Sequence, residues 1–276
     1  METLNLGPIF EKLWRDTDAF AEAAKLDGII YRNVKGRKTL RFEMHNTGYF
    51  LKLHQGVGWS EIIKNLVQLR KPVISAENEW LAIQKLEQLG VETMKIAAYG
   101  CKGANPAQCD SFIITNELAP SISLEDFCRD WPSQPPPLRL KWALIERVAT
   151  MTATMHNNGI NHRDCYICHF LLMLKPEQTT VDATSFSLHV IDLHRAQLRA
   201  HTPQRWIVKD VAGLYFSAMD IGLTRHDLLR FMRCYSGTLK QALRSDIAFW
   251  RAVEHRAVKL YLSDHAKAPV LAAKFD

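Results

Sequence analysis

The sequence predicts an α+β fold, with a small antiparallel sheet first and a mostly helical region after it. Between residues 28 and 54, three short runs alternate apolar and polar side chains as half-buried strands do, with glycine-containing turns between them. From Leu138 to Asn157 the apolar residues recur at helical spacing instead. The chain contains no internal repeat and no low-complexity tract, so we expect one domain over residues 1–276.

Changes in residue pattern divide this domain into two predicted lobes. The first lobe covers about residues 10–116, a hinge covers about 116–120, and the second lobe covers about 121–276. In the first lobe, Ser75 can cap a helix that ends near Leu89, and a fourth strand precedes the hinge. The second lobe carries the long helix and three later helices, predicted at 208–221, 225–235 and 247–262.

The composition describes a basic chain of 276 residues with a formal net charge of +6. A basic surface favours a polyanionic partner, which can be nucleic acid, phospholipid, an acidic protein or a phosphorylated glycolipid. The first residues lack the basic and apolar segments of a secretory signal, and no apolar run reaches the ~18 residues that cross a bilayer. We therefore expect a cytoplasmic protein whose six cysteines are reduced.

The most informative segment is residues 161–172, which read Asn-His-Arg-Asp-Cys-Tyr-Ile-Cys-His-Phe-Leu-Leu. A His-Arg-Asp triplet followed by an apolar run is typical of the catalytic loop of kinase-like enzymes. Transfer of a phosphoryl group from ATP needs one carboxylate to take the acceptor's hydroxyl proton and another to hold magnesium on the phosphates. We assign the first role to Asp164, with His162 and Arg163 beside it in the catalytic loop. Asp192, which follows a β-branched strand, takes the second role.

Lys52 lies between apolar neighbours in the third predicted strand, where a lysine is costly without an anion nearby. An edge strand that turns this lysine to solvent is the alternative. In kinases such a lysine holds the nucleotide phosphates and pairs with a glutamate of the next major helix. That helix offers Glu77 and Glu79, and Glu79 lies on the more apolar face. We therefore predict that Lys52 pairs with Glu79.

Three further positions are candidates for the nucleotide and its metal. The hinge can offer the main chain of Glu117 and Leu118 to the adenine edge. The turn at residues 32–38 has a single glycine, so Lys35, with Arg37 and Lys38, is the candidate to bind phosphate by charge where kinases use glycine amides. His169 stands five residues after the catalytic aspartate, where kinases place a metal-binding asparagine. Imidazole suits magnesium poorly, so His169 either binds a phosphate oxygen or leaves only one metal site fully formed.

Two patterns have competing interpretations. The run Cys165-x-x-Cys168-His169 matches the attachment signature of c-type haem, and with His162 it contains enough ligands for zinc. No export signal and no second ligand pair supports either group, so a reduced cysteine pair in the catalytic loop is favoured.

The segment from Ser60 to Arg70 is predicted to be helical, with Trp59, Ile62, Ile63 and Leu66 on one stripe. We interpret that stripe as core. The alternative is an interfacial helix that touches lipid, with Lys64, Arg70 and Lys71 near anionic headgroups.

Three strings together resemble a known family. They are His-Arg-Asp-Cys-Tyr-Ile-Cys-His-Phe-Leu-Leu at 162–172, Ile-Asp-Leu-His-Arg-Ala at 191–196 and Gly-Val-Gly-Trp-Ser-Glu-Ile-Ile-Lys-Asn at 56–65. They resemble the lipopolysaccharide core heptose I kinase family, over about residues 10–261. The resemblance implies a bilobal protein-kinase-like fold, with a small antiparallel-sheet N-lobe and a mostly helical C-lobe.

The resemblance also implies an activity and a place. The enzyme would use ATP and Mg²⁺ to phosphorylate the O-4 hydroxyl of the first heptose of the lipopolysaccharide inner core, at the cytoplasmic face of a Gram-negative inner membrane. Asp164 resembles the family's catalytic base, Asp192 its metal-binding aspartate and Lys52 its nucleotide lysine. The partners implied are the inner-core glycolipid and the inner-membrane surface, with an acidic protein as a further candidate and no nucleic acid.

Acceptor binding and two other classes of function complete the predictions. The glycolipid is anionic, so Arg195, Arg199 and Arg205, close in sequence to Asp192, are the candidates to bind it, and solvated surface arginines are the alternative. A protein-tyrosine kinase that acts on itself or on other proteins would share the chemistry. A non-catalytic kinase-like binding module usually lacks a catalytic residue, whereas this chain keeps Lys52, Asp164 and Asp192.

Overall fold

A computed structural model of the chain describes residues 2–34, 36–67, 72–175 and 180–272. The chain forms two compact units. Unit 1 consists of Met1–Lys85, Met94–Ala119 and Leu193–Arg195, and unit 2 consists of Leu86–Thr93, Pro120–Asp192 and Ala196–Asp276.

Unit 1 is built on a six-stranded antiparallel sheet. Its strands are β1 (Glu2–Leu6), β2 (Ile29–Val34), β3 (Arg37–Met44), β4 (Thr47–Gln55), β5 (Ile96–Lys102) and β6 (Asp110–Asn116). They lie in the order β1-β5-β6-β4-β3-β2. The predicted strands correspond to β2, β3, β4 and β6, whereas β1 and β5 add two strands that the alternation pattern did not indicate.

Four helices accompany this sheet: α1 (Pro8–Trp14), α2 (Ala19–Lys25), α3 (Gly58–Val67) and α4 (Glu77–Gln88). The first two supply aromatic side chains to the core of unit 1. The ring of Phe10 lies 5.5 Å from that of Tyr49, and the ring of Phe20 lies 5.3 Å from that of Phe112. These edge-to-face contacts fasten the helices to β4 and β6, because aromatic pairs prefer this geometry at such distances.

The α4 helix begins and ends close to its predicted limits. The side-chain oxygen of Ser75 accepts a hydrogen bond from Glu77 N at 3.3 Å. Beyond the C-terminus, Gly90 adopts a φ of 68°, in the left-handed region that glycine enters without steric cost. The helix therefore holds Glu79 two residues from its start, next to the sheet.

The α3 helix contradicts the prediction that its apolar stripe is core. Ile62 is 5% exposed, but Trp59, Ile63 and Leu66 are each more than half exposed, and Val67 is 78% exposed. Ile62 is the residue of this stripe that packs against the protein, and the other apolar side chains of the ten-residue helix face solvent. Arg70 and Lys71, named with the lipid-facing alternative, lie outside the described residues.

Unit 2 is mostly helical. Its helices are α5 (Leu124–Phe127), α6 (Leu138–Asn157), α7 (Gln204–Ser217), α8 (Arg225–Ser236), α9 (Leu239–Arg244) and α10 (Ile247–His265). Its short strands are β7 (Ser121–Ser123), β8 (Ile160–Asn161), β9 (Phe170–Met173), β10 (Leu188–Val190) and β11 (Gln197–Leu198). The long predicted helix is α6, with the predicted bounds.

The core of unit 2 forms around α6, α7, α8 and α10. The predicted stripe of α6 is buried throughout: Leu144, Val148, Met151 and Met155. A buried ion pair joins α6 to α8, with Lys141 Nζ 2.7 Å from Asp227 Oδ2. None of the helices in the described part of the chain is long and apolar enough to cross a bilayer.

Candidate active site

In unit 1, β4 and α4 bring Lys52 and Glu79 together. Lys52 Nζ lies 2.8 Å from Glu79 Oε1, and the glutamate is 1% exposed. Because β4 pairs with β3 on one side and β6 on the other, the edge-strand alternative for Lys52 is wrong. The neighbouring Glu77 is exposed, as its less apolar face predicted. A buried carboxylate must be paired to remain charged, so this contact fixes the ammonium group in position.

The hinge segment of unit 1 is held by the carboxylate of Glu117. Its two oxygens accept bonds from Arg41 Nε and Nη2, each at 2.7 Å, and its N–H donates to Gly48 O at 2.8 Å. A Cβ at Gly48 would lie 1.8 Å from Glu117 Oε2, so a larger residue there would displace the glutamate side chain from Arg41. The Glu117 side chain is therefore bound to the sheet of unit 1.

The glycine-poor turn between β2 and β3 shows basic side chains bonded to main chain. Arg37 donates to Val73 O, and Lys38 Nζ donates to Leu26 O at 3.3 Å. Gly36 is the glycine of the turn, with a φ of 76°. Lys35, the candidate phosphate ligand, lies outside the described residues.

In unit 2, a buried aspartate on α7 holds the catalytic loop by its main chain. Asp210 Oδ2 accepts from His162 N at 2.6 Å, and Oδ1 accepts from Arg163 N at 2.9 Å. Lys209 Nζ, on the same helix, donates to Arg163 O at 2.6 Å. Arg163 needs this support because its φ is 75°, a conformation that costs free energy for a residue other than glycine. The main-chain N–H and the main-chain oxygen of Arg163, the residue before Asp164, are therefore both held by side chains of α7.

His162 is a brace for the strand end that carries Asp192. It is fully buried, and its Nε2 donates to Ile191 O at 2.9 Å, since a carbonyl can only accept. Burial lowers its pKa, so the ring stays neutral and does not serve as a proton carrier. Asp192 itself has a φ of 60°, a left-handed conformation that costs free energy for a residue other than glycine.

His169 lies between the two candidate aspartates of unit 2. Its Nδ1 donates to the main-chain oxygen of Asp164 at 2.7 Å, since a carbonyl can only accept. Its Nε2 lies 3.7 Å from Asp192 Oδ2. The ring therefore contacts the main chain of Asp164 and the carboxylate of Asp192.

The donor set fits magnesium that arrives with a nucleotide. Within the described residues, no three His, Cys, Asp or Glu side chains gather closely enough to hold a metal by themselves. Magnesium on phosphates takes most of its six ligands from phosphate oxygens and water, and one or two carboxylates complete the set. Asp192 offers a carboxylate for such a role in unit 2, with His169 Nε2 3.7 Å away from it.

The two cysteines of the loop lie in surroundings that keep their thiols protonated. Burial raises the pKa of the Cys165 thiol, and burial raises that of Cys168 to about 11, so both stay protonated and neither is a prepared metal ligand.

Arg199 donates to Asn161 Oδ1 at 2.6 Å and to Gln197 Oε1. Arg195 ends a single helical turn that belongs to unit 1, Leu193–Arg195.

Asp210 is the residue that the sequence analysis missed. It stands in α7 with apolar residues one turn away on either side, Ile207 and Leu214, and a charged residue on such a face is expensive unless it is satisfied. That pattern singled out Lys52, and the same reasoning could have singled out Asp210. Its partners in the catalytic loop could not be named, because they are main-chain N–H groups about 48 residues earlier.

A lysine–glutamate pair on a small antiparallel sheet and a catalytic loop held from a helical unit define a kinase-like phosphotransferase. A family model for the lipopolysaccharide kinase (Kdo/WaaP) family matches residues 21–235. The chain belongs to this family. Its kinase activity implies ATP as the phosphate donor.

Solved and curated relatives agree with the family match. A lipopolysaccharide core heptose(I) kinase WaaP from Pseudomonas aeruginosa is 52% identical over 254 residues, 91% of this chain and 93% of that protein. One of the same name from Escherichia coli strain K12 is 56% identical over 225 residues, 82% of this chain and 84% of that protein. A solved structure described as WaaP in complex with acyl carrier protein has a TM-score of 0.81 and 48% identity, covering 94% of this chain and 99% of that one. The predicted α+β, protein-kinase-like fold is confirmed.

Proposed function

We propose that this chain transfers the γ-phosphate of ATP to the O-4 hydroxyl of the first heptose of the lipopolysaccharide inner core. The observation that carries the proposal is the identity of 52% with a heptose(I) kinase over 91% of this chain. The sequence keeps Lys52, Asp164 and Asp192, the lysine and the two aspartates that phosphoryl transfer uses, which argues against a non-catalytic module.

The chemistry follows from the side chains of each unit. Asp164 accepts the proton of the heptose hydroxyl while the hydroxyl oxygen forms a bond to the γ-phosphorus of ATP. The bond between the γ-phosphorus and the bridging oxygen breaks, and that oxygen leaves with ADP. Lys52, oriented by Glu79, binds phosphate oxygens. Asp192 would hold magnesium, which supplies positive charge to the phosphates when it is bound. Asp210 and His162 keep the loop and the strand end in place.

The test is a transfer assay with the purified chain. ATP, magnesium and core lipopolysaccharide stripped of its phosphates are incubated with the chain, and mass spectrometry locates the new phosphate. We expect one phosphate on the first heptose. Transfer to the chain itself or to added proteins, with none to the glycolipid, would support the protein-tyrosine kinase alternative and refute the proposal.

A double-mutant cycle tests the role of the Lys52–Glu79 pair. Lys52→Ala and Glu79→Ala should each lower kcat/KM for ATP, because the lysine loses either its charge or its orientation. The free-energy loss of the double variant, calculated from kcat/KM, should be smaller than the sum of the two single losses. The difference, which is the coupling energy, should be about 0.5–3 kcal/mol. The matched control is Glu77→Ala, an exposed glutamate on the same helix, which should leave ATP use unchanged. Additive losses would mean that the pair does not act as one unit.

A partner protein is proposed from the solved relative, whose description names an acyl carrier protein. The net charge of +6 favours an acidic partner.

Unit 2 also contains an apolar cavity of about 110 Å³ among α6, α7, α8 and α10, lined by side chains such as Leu144, Leu214 and Trp250. A carrier protein presents a fatty acyl chain, and this cavity is where an acyl chain would bind. A carrier loaded with an acyl group should raise the melting temperature more than the unloaded carrier. Equal shifts would remove the cavity from the proposal.

A membrane surface is proposed for α3, at the cytoplasmic face of the inner membrane where the acceptor lies. Trp59, Ile63 and Leu66 form an exposed apolar face, with Lys64 exposed beside it. Helices of this kind lie in the interface between headgroups and acyl chains.

Changing Trp59, Ile63 and Leu66 together to serine should reduce flotation of the chain with anionic phospholipid vesicles several-fold, because the apolar contact area is lost. The matched control changes three exposed leucines of unit 2 to serine: Leu239, Leu243 and Leu262. If both variants float as the unchanged chain does, α3 does not bind lipid.

A further inference from the structure

Two cysteine side chains of unit 1 are in contact. Cys101 lies in β5 and Cys109 directly precedes β6, and their Sγ atoms are 3.4 Å apart. Both are free thiols, with Cys109 buried and Cys101 partly exposed. The sulfur atoms of a disulfide are about 2.0 Å apart, so an approach of roughly 1.4 Å would bring this pair to bonding distance.

The main chain holds the two cysteines beside each other. Cys101 pairs with Ser111 across the antiparallel strands β5 and β6, and Cys109 precedes Ser111 by two residues. The N–H of Gly56 donates to Cys109 O at 3.2 Å, which joins the residue before β6 to the end of β4. Only residues 102–108 separate the cysteines, and closing so short a loop costs little conformational entropy. A bond between these two sulfur atoms is therefore favoured over a bond from either of them to a distant cysteine.

The two thiols differ in reactivity. Burial, with a smaller contribution from Cys101, raises the pKa of the Cys109 thiol to about 12. A thiol with so high a pKa is protonated at neutral pH and reacts slowly with an oxidant. Cys101 is the more exposed of the pair. An oxidant therefore reacts first at Cys101, and Cys109 is placed to complete the bond.

The α4 helix packs on the face of the sheet that carries this pair. Tyr99, two residues before Cys101, shares its face, and the Tyr99 ring stacks on that of Trp80 in α4 with centroids 4.3 Å apart. Ser111 Oγ accepts a hydrogen bond at 3.0 Å from the N–H of Ala76, which directly precedes α4. Tyr99 is 1% exposed and Ser111 is 0% exposed. Because a protein interior is close-packed, the sulfur atoms cannot approach each other without displacing these neighbours.

We propose that Cys101 and Cys109 are a site of reversible disulfide formation, and that the disulfide loosens α4 on the sheet. The oxidant is a hydroperoxide, of which hydrogen peroxide is the simplest. It transfers one oxygen atom to the Cys101 sulfur, which becomes a sulfenic acid, and the rest of the peroxide leaves as water. The Cys109 sulfur then bonds to the Cys101 sulfur, and the hydroxyl group leaves with the Cys109 proton as a second water. A small dithiol restores both thiols while it becomes a disulfide itself.

The disulfide would also affect ATP use. The α4 helix carries Glu79, whose Oε1 lies 2.8 Å from Lys52 Nζ. A looser helix holds the lysine less firmly, so we expect ATP KM to rise when the disulfide is present. This expectation rests on the proposed function, whereas the disulfide and the loosening of α4 do not.

Peptide mapping tests whether the disulfide forms. The chain is treated with hydrogen peroxide, free thiols are alkylated, and the chain is digested without reductant. Trypsin cleaves after Lys102, so the peptides that contain Cys101 and Cys109 stay joined only through a disulfide. Fragment masses distinguish Cys109 from Cys128, which lies in the same peptide. We expect a Cys101–Cys109 link that dithiothreitol removes, and peroxide treatment that yields no such link would overturn the site.

Amide hydrogen exchange tests the effect on α4. In the oxidised chain, the hydrogen-bonded amides of α4 should exchange several-fold faster than in the reduced chain, and dithiothreitol should reverse the change. Cys101→Ser should show no response to peroxide, and Cys109→Ala replaces it if that variant does not fold. The matched control is Cys234→Ser, which removes a partly exposed cysteine of α8 and should respond as the unchanged chain does.

The outcomes separate this proposal from the proposed function. Unchanged exchange in a chain whose disulfide has been mapped would overturn the coupling to α4, and a response that persists in Cys101→Ser would exclude this pair as its cause. With the proposed activity, ATP KM should rise several-fold on oxidation and return with dithiothreitol. A mapped disulfide and faster exchange in a chain that transfers no phosphate would overturn only the proposed activity.

Discussion

Replacing Asp164 with alanine should lower kcat by a factor on the order of 10² to 10⁴ while ATP binding is largely kept, because the carboxylate acts as a general base only in the transition state. The substitution is clean in one respect. His169 bonds to the main-chain oxygen of Asp164, and alanine keeps that oxygen. The loop geometry should therefore survive the loss of the carboxylate.

The measurement is the rate of phosphate transfer to the glycolipid under saturating ATP, with nucleotide affinity determined separately. The thermal unfolding curve of the variant serves as the control for folding. Turnover equal to that of the unchanged chain would exclude Asp164 as the base.

Replacing Asp210 with alanine should destabilise the chain by about 3 to 5 kcal/mol, the cost of removing one partner from a buried charged network. The main-chain N–H groups of His162 and Arg163 lose their acceptor, and neither can reach water. His156, whose Nε2 lies 3.4 Å from Asp210 Oδ2, loses a neighbour too. Since a domain is stable by only about 5–15 kcal/mol, the variant should unfold at a much lower denaturant concentration.

Asp210→Asn separates stability from activity. The asparagine oxygen can still accept from one of the two main-chain N–H groups, but its amide N–H groups face the other and cannot accept from it. We therefore expect a folded chain with a strongly reduced kcat and a nearly normal ATP KM. Asp264→Asn, at an exposed site near the end of α10, is the matched control. A kcat for Asp210→Asn equal to that of this control would show that the main-chain bonds do not position the loop.

The sequence was most informative where local pattern and burial agree. The α6 helix was predicted with its observed bounds because its stripe of apolar residues is long and uninterrupted. Glu79 was chosen over Glu77 by the same logic, and it is the buried one. The β5 strand escaped prediction since its residues, Ile-Ala-Ala-Tyr-Gly-Cys-Lys, include alanine and glycine, which are poor strand formers.

Other features depend on tertiary contacts that no local pattern contains. The α3 stripe was assigned to core because periodicity says which residues share a face and not what covers that face. The start of α7 was placed four residues late, although Pro203 marks the observed beginning. The contact of Arg163 with the ring of Trp206 joins the catalytic loop to a helix more than 40 residues later, so spacing in the sequence could not indicate it.

The Glu117–Arg41 ion pair has a consequence for inhibitor selectivity and resistance. A compound directed at the hinge segment would meet main-chain atoms, since the Glu117 carboxylate is already bound by Arg41 in the same unit. A mutation at residue 117 would release a guanidinium from the sheet and lower stability before it changed any contact with the compound. Escape through this position should therefore carry a fitness penalty.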